Sequence, residues 1–284
     1  MFDFDREIDR SGTMSLKWDK YKGQDVLPMW VADTDFASPP AVIEALTARV
    51  AHGIFGYSRP SPRLIELIIT RMQQRYGWTI SPEWLVFLPG VVPGLNLACK
   101  AWSQHGRGII TPKPVYYPFL QAPGFNDRPL LTVPMMEEAG RWVLDLEELE
   151  RQAPSADLLL LCNPHNPAGR VWSPEELRRI GEICLRNGVF VVADEIHCEL
   201  VMPGFRYTPF ASLGEEFLHN SVTCCSPSKA FNLAGLQVAN IIAAGETVRA
   251  KIEKALRINE TGEIGPLAID ALIARLANAP GSVA

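Results

Sequence analysis

Short apolar runs without polar alternation constrain the fold of this chain more than any other feature. They fall at 108–110, 158–161, 189–193, 221–224 and 238–242. A strand exposed on one face alternates apolar and polar residues, whereas a strand covered on both faces does not, so these runs suit a parallel sheet between helices. A clear helical pattern lies between two of them. Ser173 is placed to cap it, Pro174 to open it, Glu176 to complete a capping box, and Gly188 stands just past its end. The spacing predicts further helices at 40–50, 64–76, 247–259 and 266–278, after an irregular first forty residues rich in Trp, Asp and Pro. The expected fold is a doubly wound, mostly parallel α/β sheet with ligands gathered where strands end.

Composition excludes several functions. The net charge of -5 argues against a nucleic-acid binder, which needs a basic surface. The densest basic stretch, Arg249 to Arg257, is interrupted by Glu253 and reads as a solvated helix face. No apolar run approaches the ~20 residues that span a bilayer. The acidic start Met1-Phe2-Asp3-Phe4-Asp5 is unlike a signal peptide. Six cysteines without C-x-x-C spacing read as reduced thiols, and a cytoplasmic location is expected. His197-Cys198 is an adjacent pair of metal-ligand types. Read as strand neighbours they point to opposite faces, so no metal site is expected.

The chemistry-bearing residues stand at the ends of the apolar runs. Cys162 is followed by Asn163-Pro164-His165-Asn166-Pro167, Ala193 by Asp194-Glu195-Ile196-His197, and Cys225 by Ser226-Pro227-Ser228-Lys229. Each has a bland reading: a turn, a helix cap, a surface Ser-Lys. Together they bring an amide, a carboxylate with an imidazole, and a hydroxyl-flanked amine to three strand ends. Gly90-Val91-Val92 precedes a helix expected from about Pro93, whose free N–H groups suit an anion.

The chain resembles the fold-type-I pyridoxal phosphate (PLP) enzymes, the aminotransferase class I/II superfamily, from about Phe2 to the end of the second-last helix. The phrases Met29-Trp30-Val31-Ala32-Asp33, Gly90-Val91-Val92-Pro93, Cys162 to Pro167, Asp194 to His197 and Ser228 to Gly235 resemble its cystathionine β-lyase (cysteine C–S lyase) branch. The resemblance implies that Lys229 is the Schiff-base lysine and catalytic base, and that Asp194 faces the cofactor's ring nitrogen. It implies that Asn166 and His197 meet the phenolic oxygen and that Tyr116, or else its neighbour Tyr117, stacks on the ring. Gly90, Val91, Val92, Ser226 and Ser228 would hold the phosphate. Tyr57 would reach the phosphate of a second subunit, implying a homodimer; otherwise it is a loop aromatic packed on its own domain.

The implied function is β-elimination from cystathionine or a cysteine conjugate, giving thiol, pyruvate and ammonia. Aminotransfer and non-catalytic PLP binding are the competing readings. Gln237 stands where many aminotransferases carry an Arg, which favours the lyase branch. The expected division is an N-terminal arm and first helix at 1–50 and a PLP-binding large domain at 51–284. The family's C-terminal small domain, with the Arg that binds the substrate carboxylate, is expected to be truncated, because residues from Asn278 onward depart from the pattern.

Overall fold

The computed structural model describes residues 3–104 and 106–278; Phe2 and the small-residue tail at 279–284 lie outside the described residues. After the short helix α1 (Leu16–Asp19) come α2 (Pro40–His52) and α3 (Pro62–Tyr76). The first strand and its helix follow, β1 (Leu85–Leu88) and α4 (Val91–Trp102), then β2 (Gly108–Lys113), α5 (Tyr117–Phe125), β3 (Leu130–Glu138) and β4 (Arg141–Leu144). Next are α6 (Leu146–Gln152), β5 (Ala156–Cys162), α7 (Pro174–Arg186) and β6 (Phe190–Asp194). The last elements are α8 (Glu215–His219), β7 (Ser221–Cys225), β8 (Ala239–Ile242), α9 (Glu246–Ile258) and α10 (Pro266–Ala277).

The strands form one eight-stranded sheet in the order β1-β8-β7-β6-β5-β2-β3-β4. Its centre, from β7 through β6, β5 and β2 to β3, is parallel. Both faces are covered, as the apolar runs required. Leu158 and Leu160 pack with α4, α5 and α9, whereas Leu159 and Leu161 pack with α6 and α7. All four are fully buried, each contributing roughly 2 kcal/mol by removing its side chain from water.

The capping box on α7 is formed as the sequence requires: Ser173 Oγ accepts from the Glu176 amide and the Glu176 carboxylate accepts from the Ser173 amide. Gly188 follows at φ 67°. The helix expected from Pro93 starts two residues earlier, at Val91.

Departures from the parallel pattern lie towards both edges. β8 is antiparallel to β7 and β1. Its connection from β7 carries the Lys229 loop rather than a crossover helix, and without a crossover the chain returns antiparallel. The hairpin β3–β4 is antiparallel and was not legible as strands in the sequence, because Pro134 and the acidic 137–138 interrupt the apolar pattern. Its turn, Ala139 at φ 51° and Gly140 at φ 79°, suits the twist of a tight hairpin.

Helix α2 lies on α10, where Val42 and Ala271 are fully buried with Phe231 and Leu233 of the Lys229 loop. Arg49 pairs with Asp270 across the same contact.

Candidate active site at the strand ends

Register brings the chemistry to one end of the sheet. Cys162 at the end of β5 pairs with Asp194 at the end of β6, and Asp194 pairs with Cys224 near the end of β7. Because β8 runs the other way, its first residue Ala239 lies beside this end and pairs with Leu88, the last residue of β1. Gly90 and the N-terminus of α4 follow directly, so they reach the same sheet end as Ser226.

The Asp194 side chain is buried at 5% exposure, and its Oδ1 accepts from the Ile196 amide at 3.0 Å. Burial raises its pKa to about 7, with the Ile196 hydrogen bond and the positive charge of Lys229 pulling the other way. His197 lies in the turn after β6, and not on a strand as the reading of His197-Cys198 assumed. Burial, then the Lys229 charge, lowers it to about 4, so the ring is neutral at neutral pH. Both shifts register Lys229 as a neighbour. Among the described residues no group of three or more His, Cys, Asp or Glu side chains is arranged to hold a metal.

The β5 end is built around two asparagines. Asn163 Nδ2 donates to Glu195 Oε1 at 2.9 Å and to the Thr208 carbonyl at 3.0 Å. Asn166 donates its amide to Cys162 Sγ at 3.4 Å, and its carbonyl accepts from the Tyr116 amide at 3.0 Å. Tyr116 is therefore tied to this loop. Burial raises its hydroxyl pKa, and the Tyr117 and Asp194 charges add to the effect. Tyr117 is 59% exposed. Of the two tyrosines left open by the sequence, Tyr116 is the one at the strand ends.

Beyond β7, Ser226 Oγ donates to the Val238 carbonyl at 2.7 Å and lies 2.6 Å from Ser228 Oγ. Lys229 is partly exposed, and its Nζ donates to the Ala32 carbonyl at 3.4 Å. Tyr57 stands apart. At 96% exposure it is not packed on its own domain, which overturns that reading of it.

Glu195 was quoted in the sequence motif without a role. It is fully buried, and it accepts from Asn163, from the Phe210 amide at 2.9 Å and from the Tyr207 hydroxyl. Its four-residue motif was visible, but its partners 207 and 210 come from a later loop. A cavity of about 580 Å³ opens beside Asn166 and His197, walled by Trp142, Leu200, Met202 and Phe205.

One sheet end thus offers the buried Asp194 carboxylate, a primary amine, two paired hydroxyls and a helix N-terminus whose first N–H groups have no intrahelical partner. That donor set fits a ligand carrying a cationic ring nitrogen, a carbonyl and a phosphate.

Comparison with known proteins gives the same direction. The cystathionine beta-lyase PatB of Bacillus subtilis is 45% identical over 275 residues, which cover 95% of this chain and 71% of that protein. Protein MalY of Escherichia coli is 32% identical over 264 residues, 90% of this chain and 67% of MalY. The crystal structure of cystalysin from Treponema denticola, which contains a pyridoxal 5′-phosphate cofactor, superposes with a TM-score of 0.94 at 32% identity, covering 98% of this chain and 73% of that one. Residues 24–278 match the family described as aminotransferase class I and II, which extends the resemblance through α10. The chain belongs to the class I and II aminotransferase family.

Proposed function

We propose that this protein is a PLP-dependent carbon–sulfur β-lyase acting on cystathionine or cysteine conjugates, with release of thiol, pyruvate and ammonia. The observation that carries this reading is the 45% identity to a cystathionine beta-lyase, on a chain whose Asn166, Asp194 and Lys229 stand at or just beyond the ends of three adjacent strands. When bound, the cofactor supplies an electron sink for the charge that develops at the substrate's Cα.

The chain's own residues then have separable tasks. Lys229 would carry the cofactor covalently and, once free, move the Cα proton as general base. Asp194 would face the ring nitrogen. Alone and buried it sits at about 7, and a cationic nitrogen against it would restore the ionised carboxylate. Asn166 and the neutral His197 would meet the phenolic oxygen, and Tyr116 would lie on the ring. Gly90, Val91, Val92, Ser226 and Ser228 would hold the phosphate, joined by Tyr57 from a second copy of the chain. The near-complete exposure of Tyr57 supports a homodimer with shared sites. Six free, buried cysteines support a cytoplasmic location.

We read 51–284 as the cofactor-binding unit and 1–50 as an arm and helix on its substrate side. The hydrogen bond from Lys229 to Ala32 supports an arm that borders the site.

Aminotransfer is the second reading. It is favoured by the TM-score of 0.94, at 35% identity, with a PLP-bound putative aminotransferase from Clostridium difficile. Both reactions use the residues above. The test is direct: load the purified chain with PLP, record the visible absorbance of the lysine-bound cofactor, and repeat with Lys229→Ala. Supplying cystathionine should then release pyruvate and free thiol. Keto-acid-dependent amino transfer without pyruvate would favour the second reading, and absorbance without either product a non-catalytic PLP-binding protein. No absorbance at all would sink the assignment of Lys229.

A further inference from the structure

Lys229 and Ala32 are 197 residues apart in sequence, yet the lysine amine donates to the Ala32 carbonyl. The contact is long at 3.4 Å, so on its own it would orient the amine weakly. What brings the two segments together is Asn232, three residues past the lysine. Its Oδ1 accepts from the Thr34 amide at 3.1 Å, and its Nδ2 donates to the Thr34 carbonyl at 3.0 Å and the Phe36 carbonyl at 3.1 Å. Its own backbone carbonyl accepts from Ser38 Oγ at 3.5 Å. One side-chain amide thus engages both backbone groups of Thr34. Asn232 does so from a left-handed backbone, φ 55°, a conformation that asparagine tolerates better than most residues.

The same arm segment is fixed from its other side by charge. Arg10 donates to Asp33 and Asp35 at 2.7 Å each, Lys17 to Asp35 at 2.6 Å, and the Trp18 indole to Asp35 at 2.8 Å. Ala32 is therefore held between an ionic anchor and the Asn232 amide. A lysine on a flexible four-carbon stem gains from such a fixed acceptor, because reacting groups lose rate steeply when their position is not set.

We infer that Asn232 is a positioning residue that clamps Ala32–Phe36 onto the Lys229 loop, so that the Ala32 carbonyl holds the lysine amine whenever it is not carrying the cofactor. The inference rests on the reading of Lys229 as the cofactor-bearing amine.

Asn232→Gly separates the side chain from the backbone, because glycine accepts the left-handed φ without strain and deletes only the amide. Asn232→Asp is the second variant. It keeps the shape and the acceptor for Thr34 but sets carboxylate oxygens against the carbonyls of Thr34 and Phe36. In cofactor-free protein, acylation of Lys229 by acetic anhydride, followed by mass spectrometry, should run roughly threefold faster in both variants, because the amine has lost its fixed acceptor. The exposed Lys100 and Lys254 serve as references and should not change. In PLP-loaded protein the absorbance of the lysine-bound cofactor should persist, with kcat for pyruvate release down about tenfold and KM within about twofold. Unchanged Lys229 labelling in both variants overturns the inference, as does an equal rise at the reference lysines, which would mean general loosening. Failure of the wild-type chain to release pyruvate would count against the lyase reading alone, since the labelling needs no turnover.

Discussion

Arg71 on α3 and Glu199, two residues beyond His197, form a two-point ion pair: Nε donates to Oε1 at 2.6 Å and Nη2 to Oε2. Both side chains are about one-tenth exposed. The pair anchors the turn that carries His197 to a helix 128 residues earlier. Removing one partner leaves the other charged and buried, so Arg71→Ala or Glu199→Ala should each cost ~3–5 kcal/mol, while the apolar pair Arg71→Met/Glu199→Leu should cost much less. Denaturant unfolding of the three variants checks this. A double variant as damaged as the sum of the singles would contradict it.

Asp194 should make the cofactor-free protein less stable in base. Burial, opposed by the Ile196 hydrogen bond and the Lys229 charge, raises its pKa from 3.8 to about 7. Between those values the folded state binds more protons than the unfolded one, so this contribution is fullest below the unfolded pKa and is lost as pH rises through 7. Asn in its place carries no charge to bury. Asp194→Asn should therefore be more stable than wild type at pH 8 by on the order of 2 kcal/mol, with the gap closing towards pH 4. Melting temperatures across that range, without PLP, give the answer.

Glu195 accepts from three groups in a fully buried place. Glu195→Ala would orphan the Phe210 amide and one Asn163 donor in a fully buried place, at a cost of ~2–4 kcal/mol. Burial raises the Glu195 pKa to about 7 against the pull of its hydrogen bonds. A neutral isostere should therefore be tolerated, and Glu195→Gln should lose less than half as much as Ala. Equilibrium unfolding at pH 7 compares the two.

Gly181 on α7 is required by close packing. A Cβ there would lie 2.5 Å from Phe217 Cε1 and 2.6 Å from Cδ1, well inside contact distance. Gly181→Ala should cost ~1–3 kcal/mol through overpacking. Shrinking the ring with Phe217→Leu should recover part of that loss. Additive losses in the double variant would show that the two sites do not touch.

The strand ends were legible because a buried parallel strand writes itself as an unbroken apolar run, and the polar residue that breaks the run marks where the strand ends. That placement brought Asn166, Asp194 and Lys229 into view, and the family resemblance gave them their roles. β1 was missed although its apolar run, 85–88, is as long as that at 158–161, and β3–β4 because Pro134 and two glutamates mask the pattern. The Tyr116/Tyr117 choice could not be made from adjacent identical residues. Their different burial comes from where α5 begins and from the Asn166 loop against it.

What the sequence by itself determined is local: which runs are strands, where α7 is capped, and which polar residues follow β5, β6 and β7. Those depend on near neighbours, through periodicity, capping and the burial of one segment. Only the tertiary structure decided that β5, β6 and β7 lie side by side, that β8 returns antiparallel and brings the α4 N-terminus to the same end, and that Asn232 and Ala32 meet across the chain. Such contacts join residues far apart in sequence, and their energy depends on register and burial that no local pattern records.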